Sequence, residues 1–198
     1  MIHAKKILLA VLFVMAVLAT GCGKGNAAEN VNNSETIGTT ETTGTAETEQ
    51  ETYILTFEAT TTDGETLTSD CLSESKLTMI NVWATYCNPC LDEMPDLGEI
   101  AASYDKAEFQ MLGIVSDVME GDSPENVEYA KELITQTNAN YPHLLLNQSL
   151  YSNLVGGVEA VPTTFFVTKD GEMLGYVLGA QSKEGWEEII NGLLAEME

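Results

Sequence analysis

The chain contains no arginine and only eight lysines, against 31 aspartates and glutamates in 198 residues, giving a formal net charge of −23. Phosphate backbones are gripped by clustered Lys and Arg, so this balance excludes nucleic acid as a partner. Histidine is nearly absent, with only His3 and His143, and cysteine is sparse, with Cys22, Cys71, Cys87 and Cys90. Cys87 and Cys90 could form half of a tetrahedral zinc set, but no second pair follows, so no metal ligands are assigned. Long hydrophobic runs are missing apart from the thirteen residues Ile7 to Ala19, where a bilayer span needs about 20. The apolar fraction, 44%, still suffices for one globular core.

The short apolar run follows Lys5 and Lys6 and ends in Ala19-Thr20-Gly21-Cys22. This reads as a signal peptide over residues 1–21. Its end resembles a bacterial lipobox, with Cys22 as the lipidated first residue of the mature chain. The fit departs in one place: a lipobox usually has Leu three residues before the cysteine, and here that residue is Ala19. An ordinary cleaved signal peptide and a retained anchor are the competing readings. All three put the remaining chain outside the cytoplasm, where disulfides persist. Residues 22–52 are dominated by Gly, Asn, Ser, Thr and Glu, with Val31 and Ile37 as the sizeable apolar residues. Such a tract buries too little surface to offset its ordering entropy and is expected to be a disordered tether. Residues 53–198 form the folded domain.

The chemistry is concentrated in one stretch. Met79 to Ala84 is rich in apolar and β-branched residues and reads as a buried strand. After Tyr86 comes Cys87-Asn88-Pro89-Cys90, and then apolar residues at helical spacing: Leu91, Met94, Leu97, Ile100 and Ala101. Cys87 is therefore expected where a strand hands over to a helix N-terminus, whose unpaired N–H groups and dipole favour a thiolate. The two-residue spacing lets one helical turn join the sulfurs, a layout for thiol–disulfide exchange in which one cysteine attacks and the other resolves. A purely structural disulfide is the alternative, although so short a loop adds little entropic stability.

Other segments build a frame around it. Tyr53, Leu55 and Phe57 alternate with polar residues, and Asp63-Gly64 marks a hairpin turn into a return strand at residues 65–68. Phe109 to Ser116 is a second core strand, making a parallel strand–helix–strand crossover. Asp122-Ser123-Pro124-Glu125 opens a helix, and residues 143–146 form a short strand. Residues 149–154 form a short helix, Asp170-Gly171 turns into a strand over 173–178, and Trp186 to Leu194 carries the apolar face of a closing helix. Cys71 reads as a small half-buried residue or as a third redox thiol. His143 reads as a surface or hydrogen-bonded histidine.

Trp83-Ala84-Thr85-Tyr86-Cys87-Asn88-Pro89-Cys90, followed by Glu93 and Pro95, resembles the thioredoxin superfamily, most closely the TlpA/ResA-type extracytoplasmic thioredoxins. Val158 to Val167, with Pro162, resembles the second signature of that superfamily. The resemblance covers residues 53–198. It implies an α/β, thioredoxin-like three-layer fold: a central mixed sheet flanked by helices, with an N-terminal β-hairpin and a central helix–strand insert. It implies a cis Val161–Pro162 bond facing the Cys87 sulfur, and Trp83, Asn88, Pro89 and Glu93 as supporting site residues. Asn81 stands where cytoplasmic thioredoxins carry a buried aspartate, which leaves the general base unassigned, with Asp92 and Glu93 the nearest acids. A peroxidatic site would have Thr three residues before the cysteine, where Ala84 stands.

The activity so implied is a protein-disulfide reductase, without cofactor, anchored to the outer face of the bacterial cell membrane through Cys22. Its implied partners are disulfide-bearing proteins, such as apocytochrome c or methionine sulfoxide reductase, and a membrane thiol carrier as electron donor. A disulfide oxidase or isomerase and a metal-binding or metallochaperone domain of the same fold are the alternatives. The reducing direction is favoured by a site poor in cations: Asn88-Pro89 lies between the cysteines, with Asp92, Glu93 and Glu159 nearby.

Overall fold

The computed structural model describes residues 53–197. The signal peptide, Cys22 and the tether lie outside the described residues. A five-stranded mixed sheet forms the middle layer. Its central strand, β3 (Leu77–Trp83), is buried at all seven positions, which is why its sequence shows no polar alternation. α1 (Asn88–Ser103) carries the chain over to β4 (Phe109–Met119), which runs parallel to β3, with Leu77 opposite Phe109 and Trp83 opposite Val115. α2 (Pro124–Gln136) and β5 (His143–Leu146) follow, with β5 parallel to β4. After α3 (Gln148–Asn153), β6 (Thr163–Thr168) pairs antiparallel with the other side of β3. β7 (Met173–Leu178) closes that edge, and α4 (Lys183–Glu196) ends the described chain. The strand order is β5-β4-β3-β6-β7.

Alternation along β3 divides the apolar core. Leu77, Met79 and Trp83 pack with Met94, Leu97 and Ile100 of α1, Ala130 and Leu133 of α2, and Trp186 and Ile190 of α4. Ile80 and Val82 point the other way, toward Leu55, Phe57, Leu72 and Leu150. Full burial of each such aliphatic side chain contributes about 1.5–3 kcal/mol. α1 is held by one stripe of buried residues, Cys90, Glu93, Met94, Leu97, Gly98 and Ile100. Gly98 admits close approach by the loop after α2: a Cβ there would lie 2.2 Å from the Asn138 carbonyl oxygen. Pro95 falls inside α1, which continues to Ser103.

The N-terminal hairpin is present but shorter and later than the sequence pattern suggests. β1 (Glu58–Thr60) pairs antiparallel with β2 (Thr66–Thr68) as a separate two-stranded sheet. Leu55 and Phe57 are buried in the core while Tyr53 is half exposed. Residues 53–57 tie instead to the β6–β7 turn: Leu55 N donates to the Gly171 carbonyl at 2.7 Å, and Ile54 bridges Glu172. Alternation reports which side chains are buried, not how far a ladder extends. β4 runs three residues beyond Ser116, with a register shift against β5 between Val115 and Met119. No helix among the described residues is long and apolar enough to cross a membrane.

Candidate active site

The site forms at the C-terminal end of β3. The chain leaves the sheet at Trp83 and turns through residues 84–86, and Cys87 becomes the N-cap of α1, with Pro89 in the first helical turn. Proline fits there because its missing N–H would have no intrahelical partner. Two groups of β4 pin this turn. Asp117 accepts from the Thr85 backbone N–H at 3.0 Å and from its hydroxyl at 2.6 Å, while the Ser116 hydroxyl donates to the Trp83 carbonyl at 2.9 Å. No motif singled out either residue in the sequence.

Cys87 and Cys90 are joined as a disulfide, with Cα atoms 5.3 Å apart. Cys87 is 6% exposed and Cys90 is fully buried, so an incoming group reaches the Cys87 sulfur first. The Cys90 backbone N–H points at Cys87 Sγ at 3.3 Å. That donor and the helix N-terminus both stabilise negative charge on this sulfur. Asn88 and Pro89 are exposed. The Val161–Pro162 bond is cis. Because Val82 pairs with Thr163 in the β3–β6 ladder, Pro162 lies at the same end of the sheet as the disulfide. The loop is held by Thr163, whose hydroxyl donates to the Ala160 carbonyl at 2.7 Å, and by Gly179 N, which donates to the Pro162 carbonyl at 2.9 Å.

Glu93 lies on the Cys90 side of α1 and is 4% exposed. One carboxylate oxygen accepts from Asn81 Nδ2 at 3.2 Å; the other accepts from Gln181 N at 3.1 Å and Trp186 Nε1 at 3.2 Å. Burial pushes its carboxyl up to about 7, against the pull of these hydrogen bonds. A carboxyl balanced near neutrality can hold or release a proton at working pH. Asn81 Nδ2 also reaches Thr164 Oγ1 at 3.0 Å, whereas Asn81 Oδ1 and the buried Tyr141 hydroxyl have no partner among the described residues. Burial, and then the Glu93 charge, push the Tyr141 phenol up.

A second buried chain of contacts runs behind Trp83. Its indole N–H donates to His143 Nδ1 at 3.1 Å, and His143 Nε2 lies 3.0 Å from the Ala139 carbonyl. A carbonyl only accepts, so the proton sits on Nε2 and the imidazole is neutral. Burial pushes His143 down to about 4. Tyr141 stacks on it at 4.4 Å between ring centroids. Of the two sequence readings for His143, the structure takes the buried, hydrogen-bonded one.

Cys71 is a free, half-buried thiol. It packs against the opposite core from the disulfide, so the structure does not bring it to Cys87. Burial and Glu74 push its thiol up to about 11, which suppresses the thiolate. Among the described residues, no group of three or more His, Cys, Asp or Glu could hold a metal ion.

Comparison with known proteins agrees with this architecture. The family model described as the AhpC/TSA family matches residues 52–174, well over half of the chain. "Thiol-disulfide oxidoreductase ResA" of Bacillus thuringiensis subsp. konkukian is 26% identical over 117 residues, covering 59% of this chain and 63% of that protein. ResA of Geobacillus thermodenitrificans is 32% identical over 114 residues, covering 58% and 61%. The chain thus spans just under two thirds of the length of the curated relatives it matches. A thioredoxin-family thiol:disulfide interchange protein from Chlorobium tepidum has TM-score 0.60 and 24% identity, over 72% of this chain and 96% of that one. The exposed lipoprotein thioredoxin Etrx1 of Streptococcus pneumoniae has TM-score 0.57 and 24% identity, over 69% and 98%. With the family model, the ResA relatives and the shared fold in agreement, the chain belongs to the AhpC/TSA family and is a TlpA/ResA-like member of the thioredoxin superfamily.

Proposed function

We propose that this protein is an extracytoplasmic thiol–disulfide oxidoreductase that reduces disulfides in protein substrates through Cys87 and Cys90. The observation that carries the reading is the Cys87–Cys90 disulfide at the N-cap of α1, beside the cis-Pro162 loop. In the reduced protein, the Cys87 thiolate attacks a substrate disulfide and one substrate sulfur leaves as thiolate. Cys90 then attacks Cys87 in the mixed disulfide, releasing the second substrate thiolate and restoring the Cys87–Cys90 bond. Two electrons pass to the substrate, and a membrane dithiol carrier returns them. Glu93, one helical turn beyond Cys90 on α1, takes the Cys90 proton, a role its carboxyl near 7 suits. Asn88, Pro89 and Val161 shape the surface around the sulfur, and the buried Trp83 and Pro162 support it from within.

The reducing direction follows from charge. No lysine neighbours the pair in sequence, and Asp92 and Glu93 follow it, so the stabilisation of the thiolate among the described residues comes from the helix N-terminus and the Cys90 N–H. A weakly stabilised thiolate gives a low potential. The anchor reading rests on the run ending at Cys22 and on the description of Etrx1 as a lipoprotein. Residues 53–198 act as the catalytic domain, and residues 22–52 tether it.

Equilibration against glutathione tests the direction: a potential near −270 mV is expected, and one above about −180 mV reverses it to oxidase or isomerase. Replacing Cys90 by Ala should trap mixed disulfides on Cys87; an untrapped variant that still turns over insulin sinks the pair as the exchanging site. A chain beginning at Glu51 should fold and keep full activity in solution. Cys22→Ser should release the protein from membranes.

A further inference from the structure

We propose that the surface flanking Glu159 is the docking site for an extended, disulfide-bearing polypeptide segment that carries Lys or Arg, with bulky apolar residues, beside its reactive cysteine. This rests on the disulfide-exchange reading above and names the substrate class for it.

Two grooves meet at this residue. The first, about 300 Å³, runs from Tyr86, which precedes Cys87, to Val161, which precedes Pro162, with Tyr151 on its wall. The second, about 290 Å³, continues past Phe165 to Tyr176 and Leu178. Both share Val158 and Glu159. Tyr86, Tyr151, Tyr176 and Leu178 are each more than half exposed, an apolar display next to the more exposed sulfur of the disulfide. Such a surface favours aromatic and aliphatic anchors. In an extended segment, residues i and i+2 lie about 7 Å apart on one face, so successive side chains can enter the two grooves while the cysteine lies over Cys87.

Charge selects among apolar partners. Among the described residues, Glu159 is the only charged one lining either groove. It is exposed and forms no ion pair or hydrogen bond with a described residue. The lysines of the described residues stand elsewhere: Lys76 pairs with Glu108, Lys106 with Glu74, Lys131 with Asp63 and Lys183 with Glu99. Lys169 follows β6 at the end away from Pro162. Among the described residues, an incoming cation therefore meets an uncompensated carboxylate, and an incoming acid meets repulsion with no cation to relieve it.

The test uses protein pre-reduced with dithiothreitol and three disulfide peptides that differ only in Lys, Gln or Glu beside the cysteine. The Lys peptide should be reduced about tenfold faster than the Glu peptide at low salt, and this ratio should shrink with salt. Glu159→Lys should invert the order, and Glu159→Gln should flatten it. Glu196→Lys, near the far end of α4, changes net charge equally and should leave the order intact. An order unmoved by Glu159→Lys, or moved as far by Glu196→Lys, overturns the proposal. Neutral hydroxyethyl disulfide separates the two layers of inference: equal reduction by all variants leaves the reductase reading standing whatever the peptides show, and no reduction by any of them removes both. If sedimentation shows a dimer that Tyr151→Ser dissociates, the occupant is a second copy and the peptide assignment fails.

Discussion

Trp83 and His143 are locked to each other: the indole N–H of Trp83 donates to His143 Nδ1 at 3.1 Å, inside a core that leaves both side chains essentially unexposed. Trp83 is the last residue of β3 before the turn to Cys87, and His143 opens β5. The imidazole thus braces the strand end that carries the site. Its neutrality is part of the brace, because a protonated Nδ1 would confront the indole N–H donor for donor.

That brace carries a pH dependence. The unfolded histidine titrates near 6.5 and the folded one near 4. Between these values the unfolded chain binds the proton and the folded one does not, so stability falls as pH drops from 6.5 to 4, by up to about 1.4 kcal/mol per pH unit. Glu93 opposes this slope above pH 4.5, so urea unfolding should show the loss as a difference: below pH 6.5 the wild type should lose stability relative to His143→Gln. A stability difference between the two proteins that stays constant from pH 6.5 to 4 would place the titration elsewhere.

Glu93 pulls the other way. Its folded carboxyl near 7 lies above the unfolded 4.5, so its contribution is fully present below pH 4.5 and declines as pH rises to 7. In Glu93→Gln that decline should vanish, leaving the His143 slope exposed as a steeper rise in stability from pH 4.5 to 6.5. The same variant should lose the ionisation near pH 7 from the pH profile of disulfide reduction. A wild-type profile in the variant removes Glu93 from proton transfer.

The three thiols of the described chain should differ in reactivity. In the reduced protein, limiting iodoacetamide at pH 7 should label Cys87 first, because it is the more exposed sulfur of the pair and lies at a helix N-terminus. Cys71, pushed up to about 11, should react last. Peptide mass mapping decides; early labelling of Cys90 or Cys71 contradicts the order.

Gly113 tests the His143 brace sterically. A Cβ at this position would stand 2.1 Å from His143 Nδ1, and Gly113 sits in β4 paired with both Asn81 and His143. Gly113→Ala should destabilise the fold by about 1–3 kcal/mol and change the fluorescence of Trp83. A variant with wild-type melting temperature and emission would mean the imidazole can move aside without consequence.

Much of the frame was legible locally. The strand ending before Cys87, the helix after Pro89, the start of α2 at Ser123-Pro124 and the turn at Asp170-Gly171 follow from apolar period, capping residues and turn chemistry, which act within a few residues. Where local pattern misled, as at residues 53–57, long-range pairing with the β6–β7 turn outweighed it.

The presence and spacing of Cys87 and Cys90, the helix beginning at them and the acidic character of the chain are written in the amino-acid order alone, because each is a property of neighbouring residues or of composition. What surrounds the pair depends on long-range packing. Glu93 meets Trp186 across 93 positions, Trp83 meets His143 across 60, and Thr85 meets Asp117 across 32. These partners are chosen by strand register and helix packing, and a shift of one residue in either would turn each side chain to the opposite face and break the bond.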